Sequence, residues 1–449
     1  MSKSLLKEIR GKWENEGFQK YFKNTSWALF GRIFSLGISF LTTIYVIRHL
    51  GPDNYGLLTF SVSFVGLFAF IATLGIDNIL YKELSKNLER KDELLGTSLF
   101  LKILASVIAI IFISISTYLI KYDDVTKLLI LINSFTLFFA SFGIIGYFFQ
   151  ANIQYKYQAI SLILVTLILS SLKILVILFD KGIIYFSFVF FLENILYALI
   201  GIYFYTISGN NIFNWKLKKT IAFNILRDSW PLMLSSALVV IYTKIDQVML
   251  KFITNDFNVG IYDAAARISE VWYFIPALIT NSIFPAIINS QKVGKEFFEM
   301  RLTKLYSLMF YMSICVALPV SLLSHQIIRA IYGNNFIQGA GVLGIYVWAG
   351  VPVFLTIAIN TYLLSENKTK VLFVGSLIGT LTNILLNFWF IPIYGIYGAA
   401  TATLISYSLI PLSTLLFKET RVHNLLIKNG ILYPFILLIN LKYRTIQKD

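Results

Sequence analysis

Cysteine is nearly absent from this chain: Cys315 is the only one in 449 residues. No disulfide can form within the chain, and no thiol-based metal site can be assembled. Histidine is almost as scarce, with His49, His325 and His423 far apart in sequence. Metal-hydrolase spacing of the HExxH type, paired CxxC motifs and phosphate-cradling Walker glycine loops are all missing. Charge is also thin. Asp, Glu, Lys and Arg make up 14% of the residues, where a soluble domain carries roughly 25%. Proline is rationed unevenly: Pro52 is the only one before residue 230, and the other eight follow.

What fills the chain instead is apolar. Hydrophobic residues account for 57%, and they fall in runs of about 20 residues, the length that crosses a ~30 Å hydrocarbon core. The expected fold is therefore all-α and membrane-integral. The spans are placed at 24–48, 56–79, 96–120, 128–149, 158–179, 183–207, 230–253, 261–288, 305–331, 340–364, 371–391 and 396–417. A last apolar run, 431–441, is too short to cross and is read as lying at the interface or folding back. No separate globular domain fits between the spans. The leader is basic and polar, and the first long apolar run begins near Thr25, which reads as an uncleaved first span and not a signal peptide.

The net charge of +15 follows from loop bias. With the N-terminus on the cytoplasmic side, 27 Lys and Arg fall in cytoplasmic segments and 6 in the opposite loops. That asymmetry is the positive-inside rule and needs no nucleic-acid partner. It predicts an even number of spans with both ends in the cytoplasm. The domain plan is a leader at 1–23, one six-helix bundle at 24–208, a linker at 209–229, a second bundle at 230–417 and a cytoplasmic or interfacial tail at 418–449. An internal echo supports two halves. IRHLGPDNYGLLTF and LKFITNDFNVGIYDAA both read as a basic residue, an apolar pair, turn residues and a glycine. FDKGIIYFSFVFFL and IPIYGIYGAATATLI are a second such pair. Two halves in parallel register are related by a pseudo-two-fold axis along the membrane normal, with the substrate path between them.

The most informative stretch is Ser229 to Ile288, two spans that carry charge at membrane depth. Lys244 and Asp246 lie in the first, and Asp263, Arg267 and Glu270 in the second. An ionisable group there costs at least ~2.5–3.5 kcal/mol and by default faces a bundle interior or a wet cavity. Asp263, Arg267 and Glu270 stand at i, i+4 and i+7, on one helical stripe. Arg267 and Glu270 could also simply neutralise each other. Elsewhere Arg32, Lys173, Asp77 and Glu193 fall within spans, with snorkelling the alternative for Arg32 and a helix-end role the alternative for Asp77. Lys102 is read as an edge residue and set aside. The candidate substrate-binding cations are Arg32, Lys173, Lys244 and Arg267. The candidate ion-coupling or gating carboxylates are Asp77, Glu193, Asp246, Asp263 and Glu270. Asn281, Asn360, Asn383 and Asn387 read mainly as interhelical glue, and Gly375 with Gly379 as a close helix contact.

Cations within a cavity suit an anionic cargo, because a phosphate cannot enter hydrocarbon unaccompanied. SWALFGRIFSLGISFLTTIYVIRHLGPDNYGLLTFSVSFVGLFAFIATLGID, KIDQVMLKFITNDFNVGIYDAAARISEVWYFIPALITNSIFPAI and IPIYGIYGAATATLISY resemble the bacterial polysaccharide (O-antigen, Wzx-type) flippases. These form the polysaccharide transporter branch of the multidrug/oligosaccharidyl-lipid/polysaccharide flippase superfamily. The resemblance covers about residues 20–420. It implies twelve helices in two bundles around a cationic cavity, alternating access, and a cargo of undecaprenyl-pyrophosphate-linked oligosaccharide moved from the cytoplasmic to the outer leaflet of the inner membrane. It further implies H⁺ or Na⁺ coupling, with a polysaccharide polymerase and a chain-length regulator as partners in lipopolysaccharide-type biosynthesis. Arg32, Asp77, Lys244, Asp246, Arg267 and Glu270 occupy positions within its motifs. No cofactor, metal or enzymatic activity is expected. Two alternatives stand beside it. A cation-coupled multidrug exporter of the same fold would want a net acidic cavity. A membrane polymerase would need a sizeable outside loop, and the extracytoplasmic loops are short.

Overall fold

A computed structural model of the chain describes residues 16–366 and 368–446. Lys3, Lys7, Arg10 and Lys12 of the expected leader, and Lys448 of the tail, lie outside the described residues. All regular structure among the described residues is helical. Ten helices there are long and apolar enough to cross a membrane by length and composition. Large apolar side chains point away from the protein: Phe388, Trp389 and Ile393 are 66%, 67% and 69% exposed. A face of that kind suits hydrocarbon and would promote aggregation in water. The chain is a multi-pass membrane protein.

Two of the ten long helices are interrupted at a glycine. Glu16–Leu67 breaks at Gly51 (φ 70°, ψ 174°), and Thr369–Leu412 breaks at Gly395 (φ 56°, ψ −130°). These are left-handed backbone positions that glycine adopts without steric cost. Each break falls between two expected spans, 24–48 with 56–79 and 371–391 with 396–417. The Gly375/Gly379 pair does make a close contact: a Cβ on Gly379 would lie 2.7 Å from Cγ1 of Ile410, on the other arm of its own hairpin.

Two expected elements differ in the structure. Span 56–79 is interrupted. Helix Ala69–Thr73 ends at Leu74 and Gly75, both left-handed, before helix Ile76–Lys86 begins. The chain there passes at backbone contact, since a Cβ on Gly75 would sit 2.6 Å from the amide nitrogen of Met233. Span 305–331 is likewise two helices, Lys295–Leu322 and Ser324–Tyr332. The short run 431–441 is part of a longer helix, Arg421–Ile446.

The chain divides into two compact units, Met1–Leu50 with Ser61–Val240, and Gly51–Phe60 with Ile241–Asp449. In the first unit Ile76, Leu80 and Leu84 form one fully buried helical stripe. They pack with Leu95, Ile144, Phe148, Phe149 and Tyr205. That stripe fixes the rotation of Ile76–Lys86 and so turns Asp77 off the apolar face. In the second unit Leu302, Tyr306 and Met309 pack against Phe354, Ala358, Leu363 and Leu426. Helix Asp256–Glu270 starts where the Asn255 side chain accepts from the Asn258 amide at 2.9 Å. The cap satisfies one of the four amides a helix start leaves free. Ten of its fifteen residues are buried, and its Ala264–Ala265–Ala266 run keeps the helix surface low.

Helix Arg421–Ile446 docks onto the second unit through polar contacts. Tyr306 Oη and His423 Nδ1 are 2.8 Å apart, the Tyr362 ring centroid is 4.3 Å from the imidazole, and Tyr311 donates to the Ile431 carbonyl at 2.5 Å. His423 lies beyond the last span, and its pKa is pushed down to about 4 by burial and, secondarily, by Lys368.

Candidate functional site

The second unit holds three linked polar features on helices Lys219–Ile253 and Asp256–Glu270. The first is built on the turn of the decapeptide Gly51–Phe60. Gly56 crosses Asp256–Glu270 in backbone contact. A Cβ on Gly56 would lie 1.8 Å from the Asp256 carbonyl, and one on Gly260 would lie 2.1 Å from the Pro52 carbonyl. The two echoing motifs in the sequence thus meet at their own glycines. That approach brings Tyr55 beside Asp263 and Arg267. The Tyr55 hydroxyl donates to Asp263 Oδ2, and Arg267 Nε donates to Asp263 Oδ2 at 2.7 Å and to Tyr55 Oη at 2.6 Å. Gln247 Nε2 reaches Asp263 Oδ1 at 3.4 Å. Asp263 is 4% exposed, so these donors offset the cost of burying its charge.

The second feature surrounds Asp246, itself 3% exposed. Tyr262 Oη and Thr403 Oγ1 each donate to Oδ2 at 2.5 Å, and Asn387 Nδ2 donates to Oδ1 at 2.6 Å. Asn387 also donates to Asn383 Oδ1 at 3.1 Å. Asn387 Oδ1 and Asn383 Nδ2 are buried without a hydrogen-bond partner among the described residues. A carboxylate ringed by neutral oxygen and amide groups can bind a proton or a small monovalent cation. Among the described residues no group of three or more His, Cys, Asp and Glu side chains could hold a metal ion.

The third feature is a cavity of about 380 Å³, lined among others by Tyr242, Lys244, Glu270, Tyr273, Asn360 and Tyr407. Glu270 Oε1 accepts from the Tyr346 hydroxyl at 2.8 Å. Tyr242 and Tyr407 meet edge to face, with centroids 5.3 Å apart. Lys244 and Asp246, two residues apart, point into different features, as their spacing requires.

The structure therefore joins Asp263 to Arg267 and brings Lys244 to Glu270 around one cavity. Arg267 pairs with Asp263 and not with Glu270, because the i, i+4 partner and Tyr55 together engage its Nε. In the first unit Asp77 bonds Lys102 at 2.7 Å, with side chains 27% and 5% exposed. Lys102 belongs to the interior and not to an edge. Its helix, Lys91–Leu119, buries Ser98, Lys102, Ser106, Ala109 and Ile113 on one stripe. That stripe of small and polar residues, readable in the sequence, is the signal that would have found it. Lys173 is 7% exposed, with its ammonium 4.6 Å from the Phe190 ring centroid. Arg32 and Glu193 are exposed. Tyr55, Tyr262, Tyr346 and Thr403 were missed altogether, since nothing in sequence separates a buried hydroxyl from an interfacial one.

These features sit within the fold of a membrane transporter, and comparison with known proteins bears out that class. The chain belongs to the family described as polysaccharide biosynthesis protein, which matches residues 21–291. The MatE family matches 231–389. AglR of Haloferax volcanii, named as a flippase, is 31% identical over 174 residues, covering 37% of this chain and 36% of that protein. An Escherichia coli K12 protein named as an O-antigen transporter is 24% identical over 257 residues, covering 55% and 60%. The chain thus spans less than two thirds of the length of these relatives. The solved lipid II flippase MurJ, in an inward closed conformation, superposes with a TM-score of 0.68 over 93% of each chain at 19% identity, which establishes a shared fold.

Proposed function

We propose that this protein is a flippase that carries a lipid-linked oligosaccharide from the cytoplasmic to the outer leaflet of the inner membrane during surface polysaccharide synthesis. The carrier is an undecaprenyl pyrophosphate, and both termini lie in the cytoplasm, as the 27 to 6 distribution of Lys and Arg favours. The observation that carries the reading is the set of charged residues, Lys244, Asp246, Asp263, Arg267 and Glu270, within the apolar spans Lys219–Ile253 and Asp256–Lys292. Cations at membrane depth help a pyrophosphate leave water, and an inside-negative potential favours its outward movement by ~2.3 kcal/mol per charge per 100 mV.

In this reading Arg32, Lys173, Lys244 and Arg267 contact the lipid-linked cargo at different stages. Asp246, with its three donors and two idle amide groups, is the coupling site for H⁺ or Na⁺, and Asp77, Glu193, Asp263 and Glu270 gate the path. Counting each helix broken at Gly51 and Gly395 as two crossings, this reading takes the chain as twelve crossings in two six-helix bundles. A polymerase and a chain-length regulator act on the delivered units, and the protein itself makes and breaks no bond. The MatE match favours a second reading, cation-coupled drug export. The polysaccharide biosynthesis family matches a longer stretch, 21–291 against 231–389, which ranks this reading lower.

The test is complementation of a deletion strain with Lys244→Gln plus Arg267→Gln, with folding checked by size-exclusion chromatography. The proposal predicts loss of glycan export. Full export by a folded double variant contradicts it, and drug resistance conferred by the same variant would favour the second reading.

A further inference from the structure

We infer that the cavity on Lys244 and Glu270 is a subsite for a sugar ring of the cargo and not for its pyrophosphate. The inference rests on the flippase reading and assigns the chemistry of one part of it. At about 380 Å³ the cavity falls at the small end of the range for small-molecule sites, with room for roughly one or two sugar rings.

Its charge is wrong for a pyrophosphate. Lys244 and Glu270 both line it and formally cancel. A group with two or more negative charges would gain one cation and meet one carboxylate in a low-dielectric space. Lysine is also a single point charge without the bidentate fork that suits phosphate oxygens.

Its walls suit a carbohydrate. Tyr242, Tyr273 and Tyr407 supply aromatic surfaces whose negative faces attract the polarised C–H groups of a pyranose. Tyr273 Oη and Thr356 Oγ1, both buried, have no hydrogen-bond partner among the described residues. Both residues line the cavity, as does Asn360. Buried hydroxyls are normally satisfied; these two oxygens are closed off from the cavity as it stands, and a side-chain shift on ligand entry would bring them to the hydroxyls of a sugar. Glu270 has one oxygen engaged by Tyr346, and the other can accept from a sugar hydroxyl. Lys244 can donate to a ring or hydroxyl oxygen.

The test uses the purified full-length protein in nanodiscs and two lipids. One is the undecaprenyl-pyrophosphate-linked oligosaccharide extracted from cells lacking this protein. The other is undecaprenyl pyrophosphate with no sugar. Thr356→Val with Tyr273→Phe removes the two idle hydroxyls at nearly constant shape, so the fold should hold. Affinity for the glycan-bearing lipid should fall roughly tenfold, the equivalent of two ordinary hydrogen bonds. Affinity for the bare lipid should stay within about twofold. An equal loss for both lipids would put the pyrophosphate in the cavity, and no loss for either would leave the cavity outside the path. Both results overturn the sugar subsite while leaving the flippase reading intact. If neither lipid binds the unaltered protein, the flippase reading fails and the subsite fails with it.

Discussion

The Asp77–Lys102 pair allows a prediction in which the direction of an asymmetry matters as much as its size. The two side chains meet at 2.7 Å, but they are not equally buried: Lys102 is 5% exposed and Asp77 27%. Removing one partner of a buried pair costs about 3–5 kcal/mol, because the other charge is left without compensation. Asp77→Asn leaves the ammonium stranded in the interior and should cost the full amount. Lys102→Met leaves a carboxylate that retains some access to polar surroundings, so its cost should be smaller, about 2 kcal/mol. The double variant Asp77→Asn/Lys102→Met leaves no charge and keeps side chains of similar length. It should recover to within about 1 kcal/mol of the unaltered protein. The assay is thermal unfolding of purified protein in a single detergent, with the three variants side by side. If Lys102→Met is the more damaging single change, or if the double variant is as unstable as the two singles added together, the pair is not a mutually dependent buried unit. Export by the folded double variant then separates two roles for Asp77. A structural carboxylate predicts export restored, and a gating carboxylate predicts a stable protein that does not export.

Other predictions follow from contacts already described. Gly260→Ala would put a methyl group 2.1 Å from the Pro52 carbonyl, so it should cost at least ~2–3 kcal/mol by forcing backbone apart, read as a lowered Tm and reduced membrane level; an unchanged Tm would refute the close crossing. Tyr55→Phe removes the hydroxyl shared by Asp263 and Arg267 and should cost about 1.5–3 kcal/mol, as expected for hydrogen bonds to charged groups. A double-mutant cycle with Asp263→Asn should return a coupling of at least ~1 kcal/mol, and additive effects would contradict the network. His423 is neutral when folded, with a pKa lowered to about 4 from 6.5. Its contribution is therefore complete above pH 6.5 and is lost as pH falls towards 4, by about 3 kcal/mol in all. Hydrogen-exchange protection factors in helix Arg421–Ile446, taken relative to the intrinsic rate at each pH, should fall over that range in the unaltered protein and not in His423→Phe.

How much of this was legible in the sequence depends on the kind of interaction. The apolar runs placed the spans because burial in lipid is read from composition alone. The turns near Gly51 and Gly395 were legible because a left-handed backbone demands glycine. Charges at membrane depth pointed to Lys244, Asp246, Asp263, Arg267 and Glu270, since only an interior tolerates them. What could not be read was pairing. Arg267 has Glu270 and Asp263 at equally plausible helical spacings, and the choice between them is made by Tyr55, roughly 200 residues away in sequence. Lys102 was set aside because distance from a span end says nothing about helix rotation. The break at Leu74–Gly75 escaped notice because the residues around it are apolar, and a left-handed leucine has no compositional mark.

The central claim is movement of a lipid-linked oligosaccharide across the membrane, and its most direct measurement is the sidedness of that intermediate. Cells lacking the protein are labelled in the oligosaccharide and converted to spheroplasts, and the labelled lipid is tested for modification by a membrane-impermeant reagent. The account predicts that the intermediate accumulates out of reach, on the cytoplasmic leaflet, and becomes accessible when the unaltered chain is restored. An intermediate that is accessible from outside in the absence of the protein, yet stays unpolymerised, would contradict it and assign the chain to the polymerisation step.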